Sequence, residues 1–191
     1  MTTYRWTGLE DNLWNNPKNW DLNEVPNSDK AIVLFENIER EVNVDNNDFH
    51  TINQIIFSES NLANVNINRY VLTFAGENPS IYSHTNNNSL MTTIQLMADL
   101  EIYVAAKNNL LMYGSINDNY DVKITGPGTV IFGASMFYKD TYISKEAILQ
   151  LSDMTNQNIG MLSPGNIYNE GTINLMTYKI IGTGTINILR E

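Results

Sequence analysis

The chain has 191 residues, 42% hydrophobic and 17% charged, with no cysteine, two histidines and a formal net charge of −10. That length and apolar content suit one domain with a sizeable core, and the missing cysteine excludes disulfides and thiolate metal sites. Eleven scattered Lys and Arg against 21 acids argue against nucleic acid or an anionic membrane as partner, and no stretch approaches the ~20 apolar residues of a membrane span.

Residues 1–30 hold all three tryptophans, Trp6, Trp14 and Trp20, with Pro17 and Pro26 and little alternation. The opening MTTYRWTG lacks the basic-then-apolar layout of a signal peptide. From 31 to 151, short bursts of period-two alternation follow one another, the signature of strands. The first are AIVLF (31–35), EVNV (41–44), TINQIIF (51–57), NVNIN (64–68) and VLTF (71–74). In DLEIYVAA (99–106), Leu100, Ile102 and Val104 share a face opposite Glu101 and Tyr103; in NNLLMYG (108–114) the buried set is Leu110 and Met112. The stretch 96–113 is also rich in helix formers, but Asn108–Asn109 interrupt it and both halves alternate strictly, which predicts two strands. Val122 and Ile124 then flank Lys123, Val130 and Phe132 flank Ile131, and Leu149 and Leu151 flank Gln150. A short helix within 145–156 is an alternative reading. Residues 152–191 begin irregularly and finish in further bursts, with Ile173 and Leu175 around Asn174, and Ile186 and Ile188 around Asn187.

Turn residues separate the bursts: Asn46–Asn47, Gly76 to Pro79, Gly114 to Asn117, Gly126–Pro127–Gly128 and Gly182 to Gly184. Asparagine recurs along the whole chain, suits tight corners, and stacks into amide ladders where equivalent positions lie one above another. Strands of four or five residues cannot bury an apolar side alone, whereas strands piled in rungs can. Burst spacing of roughly 8–12 residues fits a solenoid or a β-sandwich.

Residues 121–151, DVKITGPGTVIFGASMFYKDTYISKEAILQL, resemble the passenger-associated repeat of bacterial autotransporters. The matching positions are Val122–Lys123, Gly126, Gly128, Thr129, Val130, Phe132, Gly133, Thr141, Ile143, Leu149, Gln150 and Leu151. Trp6–Thr7–Gly8, Trp14, Asn19–Trp20, Pro26 and Asp29 resemble the signature that opens many such passengers. The corner at Lys145–Glu146 is longer than the family's small-residue turn, and neither the family's C-terminal membrane barrel nor its leader is present in this sequence. The resemblance implies a right-handed parallel β-helix with surface, adhesive or structural duty. It does not imply a ligand, because fold alone does not fix function.

An open solenoid end exposes unpaired backbone and apolar rungs, so Trp6, Trp14, Trp20 and Pro26 read as the core of an N-terminal cap more readily than as a sugar-stacking site. Tyr103, Leu111, Tyr113 and Ile131 read as an outward row suited to assembly or contact, and Ile186 and Ile188 as a terminal coil open to a second chain. Carboxylates at Asp45, Asp48, Asp118, Asp121, Asp140 and Asp153 form no acid pair flanked by Arg and His within a strand. VDNNDF (44–49) and NDNYD (117–121) offer oxygen ligands without the 12-residue Ca²⁺ loop that ends in Glu. No nucleophile elbow, phosphate loop, zinc helix or dinucleotide fingerprint occurs. The expectation is therefore an all-β, single-domain, right-handed parallel β-helix of about six to eight coils, with a cap over 1–30 and coils over 31–191. It is expected to be a non-enzyme without cofactor, structural or adhesive at an extracellular or cell surface, self-associating head-to-tail or laterally, or binding a glycan or host-surface ligand, with no nucleic acid and no membrane insertion. A carbohydrate-binding or carbohydrate-active module, and an intracellular inclusion protein, are the alternatives.

Overall fold

The computed structural model describes residues 1–151, 165–175 and 186–188. Strand β1 (Thr2–Arg5) is followed by β2 (Ala31–Phe35), β3 (Val42–Asp45) and β4 (Phe49–Ile52). The next two passes hold β5 (Gln54–Phe57) with β6 (Val65–Phe74), then β7 (Ser80–Ser83) with β8 (Asn87–Leu96). After them come β9 (Leu100–Val104), β10 (Asn109–Met112) and β11 (Ile116–Asn117), then β12 (Val122–Thr125), β13 (Thr129–Phe132) and β14 (Met136–Phe137). The last are β15 (Thr141–Ile143), β16 (Ile148–Leu151), β17 (Ile167–Asn169), β18 (Thr172–Leu175) and β19 (Ile186–Ile188). One sheet runs β1-β2-β5-β7-β9-β12-β15-β17-β19. The second, of ten strands, sets β3 and β4 on β6, then β8, and continues through β10 and β11 to β13 and β14, with β16 and β18 beyond. Neighbouring strands are parallel in both sheets. The chain is a β-solenoid of about six turns. Two facing antiparallel layers, the sandwich alternative, are not what it forms.

Alternation explains the core. Val33, Ile55, Ile81, Ile102, Ile124 and Ile143 are in-register neighbours, one per turn, each at most 2% exposed. Facing them, Val44, Ile67, Leu90, Met112, Phe132 and Leu151 form the equivalent column of the ten-stranded sheet. A residue in either column touches its equivalents above and below, and its burial contributes about 1.5–3 kcal/mol. The first column is β-branched throughout, as strand packing favours, while the second mixes Val, Ile, Leu, Met and Phe.

Several boundaries differ from the sequence reading. TINQIIF is two strands in different sheets, because buried Asn53 turns the chain between β4 and β5. NVNIN and VLTF are one strand, β6, interrupted by an irregularity between Asn68 and Val71 where Arg69 and Tyr70 adopt φ of 65° and 40°. EVNV begins a residue late, at Val42. Residues 80–83 and 87–96 form β7 and β8, which alternation did not single out, since Ser80, Ser83, Asn88, Ser89 and Thr92 occupy buried positions there. The segment 96–113 is two strands, β9 and β10. Residues 145–151 hold a turn and strand β16; the rest of the suggested helix, 152–156, and the Gly182–Gly184 corner lie outside the described residues. Thr2–Arg5, within the opening 30 residues, joins the nine-stranded sheet.

Asparagine takes two roles. At corners it hooks the neighbouring turn: Asn53 Nδ2 donates to the carbonyls of Ala75 (2.8 Å) and Glu77 (3.0 Å), and Asn86 Nδ2 donates to those of Asn61 and Ala63. Asn61 Nδ2 donates to Phe35 O, while its Oδ1 accepts from the Ile38 N–H. Ladders form on the outward strand faces instead, where Asn66 Nδ2 donates to Asn43 Oδ1 (3.1 Å) and Asn109 Nδ2 to Asn87 Oδ1 (2.7 Å).

Candidate functional site

The three tryptophans are nearly inaccessible and pack on one another. Trp20 stands edge-on to both Trp6 and Trp14, each at 5.0 Å between ring centroids, and its Nε1 donates to the Trp14 carbonyl (2.8 Å). Trp6 lies 6.1 Å from Phe35, which stacks on Phe57 one turn further on, so the cluster closes the apolar column at its first rung. Pro26 is buried as well. The C-terminal end of β1 is covered by the same segment: the Arg5 N–H donates to the Asp21 carboxylate (2.8 Å), the Asp21 N–H donates to Arg5 O (3.0 Å), and Trp6 bridges Trp20 antiparallel. Asn19 fixes this loop, accepting from the N–H groups of Glu10 and Asp11. Asp11 receives donations from Leu13 N–H, Asn16 and Asn19, which hold its carboxyl below the usual range. With their faces buried, the three indoles are not available for stacking on a ligand.

The four residues expected to form one outward row occupy two faces. Leu111 and Ile131 are adjacent on the ten-stranded sheet, and Tyr113 follows β10 and packs over Gly133. Tyr103 belongs to the nine-stranded sheet, because the corner at Lys107, with φ of 65°, carries the chain from one sheet to the other. There Tyr103 continues a column that Leu34, Ile56 and Tyr82 begin, all half-buried. His84 lies against both tyrosines, its ring 5.5 Å from Tyr103 and 6.2 Å from Tyr82. Further along the sheet, Tyr142 stacks on Tyr168 at 4.6 Å and 10° and borders a shallow groove with Asp99, Glu101, Asp121 and Lys123. Desolvation, followed by the charge of Asp121, raises the Tyr142 hydroxyl pKa, and Lys139 pairs with Asp121 at 3.2 Å. Within the column Tyr82 and Tyr103 lie 6.0 Å apart with their planes tilted at 50°, whereas the stacked Tyr142–Tyr168 pair is in register with Glu101 and Lys123. Tyr82, Tyr142 and Tyr168 escaped the sequence reading, although alternation around Ile81, Ile143 and Ile167 puts each of them outside.

Ile186 and Ile188 lie in β19, which pairs parallel with β17; their side chains lie outside the described residues. In VDNNDF, Asp45 pairs with Arg69 (3.1 Å), Asn46 is buried, and Asp48 accepts from the Phe49 N–H. Among the described residues no three His, Asp or Glu side chains converge as metal ligands would.

No family model, curated protein or solved structure matches the chain. What the molecule itself defines is its class, a parallel β-solenoid with a tryptophan cluster at its first rung.

Proposed function

We propose that the chain is a non-enzymatic structural and adhesive solenoid of the autotransporter-passenger kind, acting at a cell or particle surface. The carrying observation is the outward column Leu34–Ile56–Tyr82–Tyr103, half-buried and in register over four strands of one sheet, with His84 beside it. A stack of backbone-bonded turns makes a stiff body, and contiguous aromatic and aliphatic groups on its side form a face for contact. The resemblance of residues 121–151 to the passenger repeat supports the surface role. The test is retention of labelled protein on intact bacterial and mammalian cells by flow cytometry, with Tyr82→Ser/Tyr103→Ser as the variant. The expected result is retention of the native chain and a loss of about tenfold in the variant, with circular dichroism and Tm unchanged. Equal retention of the two, or no retention of the native chain, would contradict the reading.

A further inference from the structure

The corner where β6 bends is built at a cost to backbone and solvation that the core does not require. Arg69 and Tyr70 are consecutive non-glycine residues in the left-handed region, a conformation that persists only where surroundings hold it and that gathers at functional sites. Here the surroundings are polar and internal. Asn46 Nδ2 donates to Val71 O at 3.2 Å, Thr92 Oγ1 donates to Tyr70 O at 2.8 Å, and Asn46 and Thr92 are wholly buried. The result is to push the Tyr70 ring out, 53% exposed, against Phe49, 65% exposed, with centroids 6.1 Å apart and planes at 83°. Two perpendicular aromatic walls thus stand in water on the ten-stranded sheet, away from the Tyr82–Tyr103 column.

We propose that this corner is a saccharide subsite taking an uncharged sugar unit. The apolar C–H face of a pyranose would lie on one ring, with the phenol of Tyr70 and the carboxylate of Asp48 bonding hydroxyls at its rim. The size of the patch selects this occupant. A stable protein interface needs about 800 Å² per partner around an apolar centre, and two rings bounded by Asp48 and the Asp45–Arg69 pair provide far less. The same carboxylates disfavour acidic sugars and anionic lipid surfaces, and the chain's net charge of −10 disfavours a second copy.

Titration of the full chain with neutral cello-, xylo-, manno- and chito-oligosaccharides, and with oligogalacturonate, tests this by calorimetry and saturation-transfer NMR. At least one neutral oligosaccharide should bind, with its ring protons saturated from aromatic resonances. Phe49→Ala should weaken it about tenfold or more, and Tyr70→Phe less; both positions are exposed, so the fold survives. Tyr82→Ser should bind as the native chain does, which separates this site from the adhesive column. No binding by any neutral oligosaccharide, binding only of oligogalacturonate, or affinity unchanged in Phe49→Ala overturns the proposal.

Discussion

Asn53 shows how single side chains substitute for backbone pairing at the corners. It is fully buried and closes the loop of the next turn through the carbonyls of Ala75 and Glu77. Asn53→Ala takes the donor from the buried bond to Ala75 O and should destabilise the fold by about 1–3 kcal/mol in urea unfolding; an unchanged midpoint would deny the clasp its role. His50 illustrates burial acting on a charge. Its Nδ1 lies 2.8 Å from Asn46 Oδ1, its ring 5.6 Å from Trp14, and desolvation lowers its pKa from 6.5 against a weaker opposing pull from Asp48. Asn46 Nδ2 is committed as a donor, so Asn46 Oδ1 faces a proton on His50 Nδ1, and burial disfavours the charged ring. Because the folded pKa lies below the unfolded one, the unfolded chain takes up the proton first. Stability is complete above about pH 6.5 and declines as pH falls from there towards the lowered folded pKa. Thermal melts between about pH 7.5 and 5.5 should show Tm falling with pH, and His50→Gln should flatten that slope.

At the scale of strands and turns, period-two alternation located most of the strands because each has one dry and one wet face. It failed where that contrast is absent. β7 and β8 bury Ser80, Ser83, Asn88 and Thr92, which hydrophobicity does not mark; Asn88, for one, is satisfied by Val65 N–H, Thr85 O and Ser83 Oγ. The Tyr70 corner was illegible for another reason: its left-handed backbone is imposed by Asn46 and Thr92, each more than 20 residues away in sequence. The outward column on the nine-stranded sheet was partly visible, through Tyr103. Its other members needed the register, which depends on how many residues each turn spends at its corners. Gly114 shows how tight those corners are. A Cβ there would run into the Thr92 carbonyl of the preceding turn, so Gly114→Ala must shift backbone and should cost about 1–3 kcal/mol, read as a lowered Tm. A melt indistinguishable from the native one would mean that the turns are spaced more loosely than described.

For the whole molecule, stability is close to a sum of turns and their nearest-neighbour contacts, and the tryptophan cluster supplies at the first rung the neighbour that β1 and Phe35 otherwise lack. Strands of successive turns run parallel and in register, and the absence of native cysteine makes that directly measurable. In β9 and β12, Glu101 is opposite Lys123 and Tyr103 opposite Thr125, a separation within disulfide reach. Under mild oxidation, Glu101→Cys/Lys123→Cys and Tyr103→Cys/Thr125→Cys should each form an intramolecular disulfide rapidly, and Glu101→Cys/Thr125→Cys should not. Rapid closure of the 101–125 pair, with the two in-register pairs left open, is the antiparallel result and would contradict the solenoid.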